Sequence, residues 1–139
     1  MSRDRVSAAI RTCSESLESL KESLELMKEN EGDHILADVM YDASVKRFEV
    51  AFEYAWKMMK AAVEYEGVEA FGPRPAIQEA VRFGWIKHPD FWVKALDARN
   101  GSVHDYFGIS RNAYIAIMQE FLSEAKEVIS HLNTTVKSE

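Results

Sequence analysis

The sequence has 139 residues, of which 47% are hydrophobic and 29% charged, a composition typical of soluble globular proteins rather than disordered ones. This length predicts a single domain, residues 1–139, with enough chain to bury a core. The formal net charge of −6 argues against a general nucleic-acid binder, because such proteins carry a basic surface. There is no apolar run near the roughly 18 residues needed to span a bilayer. The N-terminal residues also lack the apolar region of a secretory signal, so we expect a cytoplasmic protein without membrane contact.

The sequence carries no recognised cofactor or metal motif. Its one cysteine, Cys13, excludes an internal disulfide and a cysteine-based zinc site. His34, Asp38 and Asp42 follow one another at helical spacing, but a metal site needs more ligands than these secure. A phosphate-binding loop, a G-x-G-x-x-G fingerprint, a metalloprotease H-E-x-x-H and a serine-nucleophile motif are all absent. We therefore expect neither a cofactor nor a metal.

The first predicted helix has one regular apolar seam. Small or apolar residues recur at steps of four and three, which is heptad spacing. They are Val6, Ile10, Cys13, Leu17, Leu20, Leu24 and Met27. The rest of this helix is rich in Glu, Lys and Ser, as expected of a solvated face.

The second predicted helix, roughly Asp38 to Tyr65, has two apolar seams side by side. One consists of Val45, Phe48, Phe52, Ala55, Met59 and Ala62, and the other of Ala51, Tyr54, Met58, Ala61 and Tyr65. The remaining stripe is charged and consists of Lys46, Glu49, Glu53, Lys57, Lys60 and Glu64. Two seams indicate that this helix packs against more than one neighbour. It is either the central helix of a bundle or the contact with a second protomer.

Three more helices complete the prediction. A short one covers about residues 74–83, and another begins at Pro89 and runs toward Gly101. The last begins at about Ser110, a plausible N-cap, and its final residues 133–139 are expected to fray. Its heptad positions are Ile115, Met118, Leu122, Ala125, Ile129 and Leu132. With short connections, these elements predict an all-α fold, an antiparallel four- to five-helix up-and-down bundle.

The stretch DARNGSVHDY places an arginine, an asparagine, a histidine and a tyrosine around Gly101. A continuous helix would separate Arg99 and His104 by about 140° around its axis. A left-handed turn at Gly101 would instead end the helix and bring His104 back toward Arg99. Asn100 would then hydrogen-bond the loop backbone. The alternative is a structural cap, in which the same side chains serve only the carbonyl groups of the helix end.

Three stretches carry a family resemblance: RFEVAFEYAWKMMKAAVEYEGV, PRPAIQEAVRFGWI and FWVKALDARNGSVHDY. In this order they resemble the signature stretches of the nucleotidyltransferase substrate-binding proteins, a branch of the HEPN superfamily that includes HepT toxins. The resemblance covers roughly residues 45–106, and its hallmark is the string Arg-Asn-x3-His-x-Tyr. It implies a two-fold homodimer of helical bundles, encoded beside a minimal nucleotidyltransferase that is its partner.

The same resemblance implies roles for the motif. Arg99 and His104 would be the ribonuclease pair, with Asn100 supporting them, and Tyr106 would be the tyrosine that the nucleotidyltransferase adenylylates to silence the toxin. Cleavage of RNA without a metal needs a base, an acid and a cation near the phosphate. One protomer supplies one histidine of the motif, whereas a two-fold dimer supplies two. The implied function is a toxin with metal-independent endoribonuclease activity.

Two other functions remain open at this point. The acidic composition fits RNA binding poorly, because affinity for RNA rests on phosphate contacts. The chain is alternatively a non-catalytic substrate-binding subunit of the nucleotidyltransferase complex, which presents a substrate or its own tyrosine. The third reading is a purely structural helical dimer.

Overall fold

The computed structural model describes residues 3–102 and 110–137. Within these ranges the chain forms five helices and no strand, which confirms the predicted all-α fold. The helices are α1 (Arg3–Glu29), α2 (His34–Tyr65), α3 (Pro73–Arg82), α4 (Pro89–Ser102) and α5 (Arg111–Lys137).

The long helices pack as an antiparallel bundle. Helix α1 packs along α2 and α5, while α4 contacts both α2 and α5. Ser44 Oγ donates a hydrogen bond to Ser23 Oγ at 2.7 Å, and Arg47 Nη1 donates to the Ser19 carbonyl at 2.6 Å, so α1 and α2 run in opposite directions. Arg111 lies 2.6 Å from Asp38, which places the start of α5 beside the start of α2. Helix α5 is therefore parallel to α2 and antiparallel to α1.

An aromatic cluster joins α2, α4 and α5 at the centre of the bundle. Phe48, Phe52, Trp92 and Phe121 are at most 1% exposed. The rings of Phe48 and Phe121 have centroids 5.2 Å apart and are nearly perpendicular, and those of Trp92 and Phe121 lie 5.6 Å apart. Edge-to-face pairs of this kind add to the free energy of burial. The Phe48 and Phe52 seam of α2 thus belongs to the core of the protomer itself.

Side-chain caps define where two long helices begin. Asp33 accepts a hydrogen bond from the Leu36 amide at 3.1 Å, so α2 begins at His34, four residues before the predicted start. Ser110 accepts from the Ala113 amide at 3.1 Å, which agrees with its predicted role as the N-cap of α5.

Two predicted helix ends are wrong. Gly101 is helical and buried, and α4 continues to Ser102, so the left-handed turn expected at this glycine does not form there. A single glycine costs a helix only about 1 kcal/mol, which the packing of a buried last turn outweighs. Helix α5 also continues through the residues expected to fray, as far as Lys137, because Val136 is buried.

Among the described residues, there is no helix long and apolar enough to cross a membrane.

Candidate functional site

A groove of about 250 Å³ lies between α2 and the last turn of α4. We call it the Arg99 groove. Its lining residues are Lys46, Glu49, Val50, Glu53, Tyr54, Lys57 and Arg99. The α2 residues recur at steps of three and four, so they share one face of that helix. The charged stripe predicted for α2 therefore forms the wall opposite Arg99.

Glu53 connects Arg99 to Lys57. Its Oε1 atom lies 3.4 Å from Arg99 Nη2, and its Oε2 atom lies 3.5 Å from Lys57 Nζ. The side chains of Arg99 and Glu53 are 31% and 35% exposed, so water screens their attraction only in part. The contact orients the guanidinium toward α2 and keeps it at the groove.

The groove is locally basic in an acidic protein. Lys46, Lys57 and Arg99 face two carboxylates, those of Glu49 and Glu53, whereas the whole chain carries −6. A guanidinium at such a site can bind a phosphate with two parallel hydrogen bonds and stabilise charge that develops on it. The arrangement is thus suited to a phosphate-bearing ligand.

The sequence motif is only partly within the described residues. Arg99 lies in the groove that bears its name. Asn100 follows it on the last turn of α4, is exposed, and makes no side-chain hydrogen bond to another described residue. His104 and Tyr106 lie outside the described residues, and so does the expected return of His104 toward Arg99.

The six lining residues from α2 were missed as functional candidates by sequence reasoning. Tyr54 was assigned to an apolar seam, Val50 to neither seam, and the other four to the charged stripe. The signal available was that Lys46, Glu49, Glu53 and Lys57 share one face with charges of both signs. Val50 and Tyr54 are each 39% exposed, which leaves an apolar strip beside the charged wall.

The described part of the chain contains no group of three or more His, Cys, Asp or Glu side chains that could hold a metal ion.

Comparison with known proteins identifies the class to which this bundle belongs. Residues 8–134 match the family described as nucleotidyltransferase substrate binding protein like, and the chain belongs to that family.

Individual relatives agree with this assignment. The chain is 30% identical over 103 residues to the probable ribonuclease HepT of Haemophilus influenzae strain Rd, and the alignment covers 70% of each protein. A solved structure from Thermus thermophilus is 27% identical with a TM-score of 0.72, covering 86% of this chain and 98% of that one. A Haemophilus influenzae structure, described as revealing the fold of a substrate binding domain of a nucleotidyltransferase, shares the fold at a TM-score of 0.65. It is 23% identical, and the match covers 95% of this chain and 99% of that one.

Proposed function

We propose that this protein is a HepT-like toxin with metal-independent endoribonuclease activity, and that a minimal nucleotidyltransferase silences it by adenylylation. The observation that carries the proposal is Arg99, the arginine of the family motif, held by Glu53 in a basic groove of an acidic molecule. Family membership and the similarity to a probable ribonuclease HepT support it. The protein would act in the cytoplasm as a single-domain subunit.

In the proposed chemistry, one side chain of the motif transfers a proton and another stabilises charge. His104 takes the proton of the attacking 2′-hydroxyl or protonates the leaving oxygen. Arg99 stabilises the negative charge that develops on the phosphate, and Asn100 supports the pair. No step requires a metal.

A two-fold homodimer would complete the site. Val50 and Tyr54 border the groove and are partly exposed, so a second protomer that covers them would bring its own Arg99 nearby. Two protomers then supply two arginines and two histidines, enough for one base and one acid.

The ribonuclease activity is tested on the purified protein with RNA in the presence of EDTA. We expect cleavage by the wild type, and a loss of about 100-fold or more for Arg99→Ala and for His104→Ala. Lys94→Ala is the matched control, since Lys94 is exposed on α4 and is not part of the groove. Circular dichroism checks that each variant is folded. Equal cleavage by the wild type and His104→Ala would refute the proposed chemistry.

Silencing is tested with the partner nucleotidyltransferase, ATP and magnesium. The Tyr106 phenol oxygen would form a bond to the α-phosphorus of ATP while the bond to the β-phosphate oxygen breaks and pyrophosphate leaves. The phenol proton passes to a base of the transferase. The added phosphodiester would pair with Arg99 and block the groove to RNA. We expect the mass to rise by one or more AMP units, and Tyr106→Phe to show no rise.

The second candidate function is a non-catalytic substrate-binding subunit of the nucleotidyltransferase complex. Glu49 and Glu53 in the groove favour it, because carboxylates next to Arg99 repel an RNA backbone. Under this alternative the protein cleaves no RNA, and the nucleotidyltransferase reaction on a separate substrate depends on the presence of this chain. The RNA cleavage assay in EDTA distinguishes the two.

A further inference from the structure

A second groove, of about 340 Å³, lies between α1 and α5. We call it the lysine groove. Lys21, Leu24, Glu25 and Lys28 line it from α1, and Gln119, Leu122, Ser123 and Lys126 line it from α5. It shares no residue with the Arg99 groove, which is built on α2 and α4. It therefore needs an explanation of its own.

Three lysines and one glutamate line this groove. None of Lys21, Lys28 and Lys126 forms an ion pair with any residue within the described ranges. Several other cations do face carboxylates, as in Arg111 with Asp38 at 2.6 Å and Lys87 with Glu127 at 3.2 Å. Three lysines without an ion pair around one groove repel one another and leave its positive charge available to an anion, although the whole chain carries −6.

The lysines are spaced along the groove rather than clustered at one point. Lys21 and Lys28 lie two turns apart on α1, a rise of about 10 Å. Because α5 is antiparallel to α1, Lys126 lies toward the Lys21 end and Gln119 toward the Lys28 end. The groove thus offers two cations at one end and one at the other.

The floor and the remaining polar groups fit a bound small molecule. Leu24 is 6% exposed and Leu122 is partly buried, so the bottom of the groove is apolar. Gln119 and Ser123, one turn apart on α5, add an amide and a hydroxyl that can donate hydrogen bonds. An apolar floor with few polar groups, and a volume near the lower end of about 300–1,000 Å³, is typical of small-molecule sites.

An acidic border limits what the groove can accept. A neighbouring depression on α1 is lined by Glu18, Ser19, Lys21, Glu22 and Glu25. A long polyanion such as RNA would meet these carboxylates as it left the groove. A short anion, in contrast, fits between Lys28 and Lys126 without crossing them.

We propose that the lysine groove binds a short phosphate chain, a diphosphate or triphosphate that is either free or carried by a nucleotide. Lys21 and Lys126 hold one end of the chain and Lys28 holds the other, while Gln119 and Ser123 donate hydrogen bonds between them. This site is independent of the proposed function at Arg99, so the failure of either leaves the other standing.

Calorimetric titration of the full chain at low salt tests the proposal, with inorganic pyrophosphate, tripolyphosphate and ATP as probes. We expect saturable binding by the wild type. The affinity should fall at least ten-fold in the double variant Lys21→Gln/Lys126→Gln. The control is Arg74→Gln/Lys94→Gln, which changes the net charge by the same amount at two positions outside the groove. We expect the control to bind like the wild type. Tighter binding of ATP than of tripolyphosphate would identify a nucleotide, and equal binding the phosphate chain alone.

Three results would overturn the site. One is no saturable binding of any probe, and another is an equal loss in the control variant. The third is a single-stranded oligonucleotide that binds in a manner sensitive to Lys21 and Lys126 when pyrophosphate and tripolyphosphate do not bind. Circular dichroism of each variant guards against misfolding.

Discussion

Glu53 contacts two cations at once, Arg99 at 3.4 Å and Lys57 at 3.5 Å. The carboxylate therefore has two opposing effects on a phosphate ligand. It positions the Arg99 guanidinium, and it cancels part of the positive charge of the groove. Because the side chains of Arg99 and Glu53 are both about one-third exposed, this ion pair contributes at most about 1 kcal/mol to the free energy of folding.

The substitution Glu53→Gln separates these two effects. We expect kcat for RNA cleavage to fall several-fold because Arg99 is less well held, and KM to fall because the groove gains a net positive charge. The unfolding free energy should change by less than about 0.5 kcal/mol. Steady-state kinetics at several salt concentrations measure both constants. Glu69→Gln, with the same charge change at a position outside the groove, is the control. An unchanged kcat would contradict the positioning role.

Cys13 is fully buried in the seam of α1, and this burial raises the pKa of its thiol from 9.0 to about 12. Burial does so because the thiolate loses its hydration. In the unfolded chain the thiol ionises near pH 9, whereas in the folded chain it stays protonated. The folded state is thus progressively disfavoured as the pH rises from about 9 toward 12, and below pH 9 the thiol adds no pH dependence.

This linkage predicts a specific alkaline loss of stability. Between about pH 8 and about pH 10 the wild type should lose about 1.4 kcal/mol more unfolding free energy than Cys13→Ala does. The variant itself is less stable at every pH because it leaves a small cavity, but its curve lacks the thiol contribution. Denaturant unfolding at a series of pH values measures the difference. Parallel curves for the two proteins would show that Cys13 does not titrate in this way.

At the scale of helices, periodicity predicted burial more completely in α1 than in α5. All seven seam residues predicted for α1 are buried. In α5 half of the predicted seam is fully buried, namely Met118, Ala125 and Leu132, whereas Ile115, Leu122 and Ile129 are only partly buried. The buried residues beside the seam include Tyr114, Phe121 and Val128. Helix α5 contacts α1, α2 and α4, so its buried face is broader than a heptad stripe and extends to one side of the predicted seam.

The start of α2 could not be predicted from apolar periodicity. Ile35 and Val39 are helical but 79% and 51% exposed, so the first turns of this helix have no buried apolar seam that would indicate where it begins. The N-cap Asp33 decides where the helix begins, and a capping aspartate resembles any loop aspartate in the sequence.

The candidate site was predictable only in part for a related reason. Arg99 could be named from its local motif, but Glu53, its partner, lies 46 positions away on α2. Local spacing cannot indicate that contact, because it arises when α4 packs against α2.

At the scale of the whole molecule, both seams of α2 are largely buried, and Tyr54 is the exposed residue among them. Phe52 is 1% exposed within the aromatic cluster, and Ala51 and Met58 of the second seam are fully buried, whereas Tyr54 is 39% exposed and borders Arg99. Apart from Tyr54, the two seams are therefore used inside the protomer. Tyr54 and Val50, beside the Arg99 groove, are the residues that would contact a second copy in the proposed dimer.

Glutamate substitutions at Phe52 and at Tyr54 are expected to have different effects, the first on folding and the second on dimer formation. Phe52→Glu places a charge in the core and should unfold the protein, so it gives no information on assembly. Tyr54→Glu should remain folded and raise the dimer Kd at least about 100-fold, since a carboxylate buried at an interface without a partner is strongly unfavourable. Tyr54→Phe should keep the dimer, as should Ile35→Glu at the far, exposed end of the same helix. Sedimentation velocity over a range of concentrations, with circular dichroism for folding, measures all four variants. A monomeric wild type, or a Tyr54→Glu protein that dimerises as tightly as the wild type, would refute the dimer at this surface.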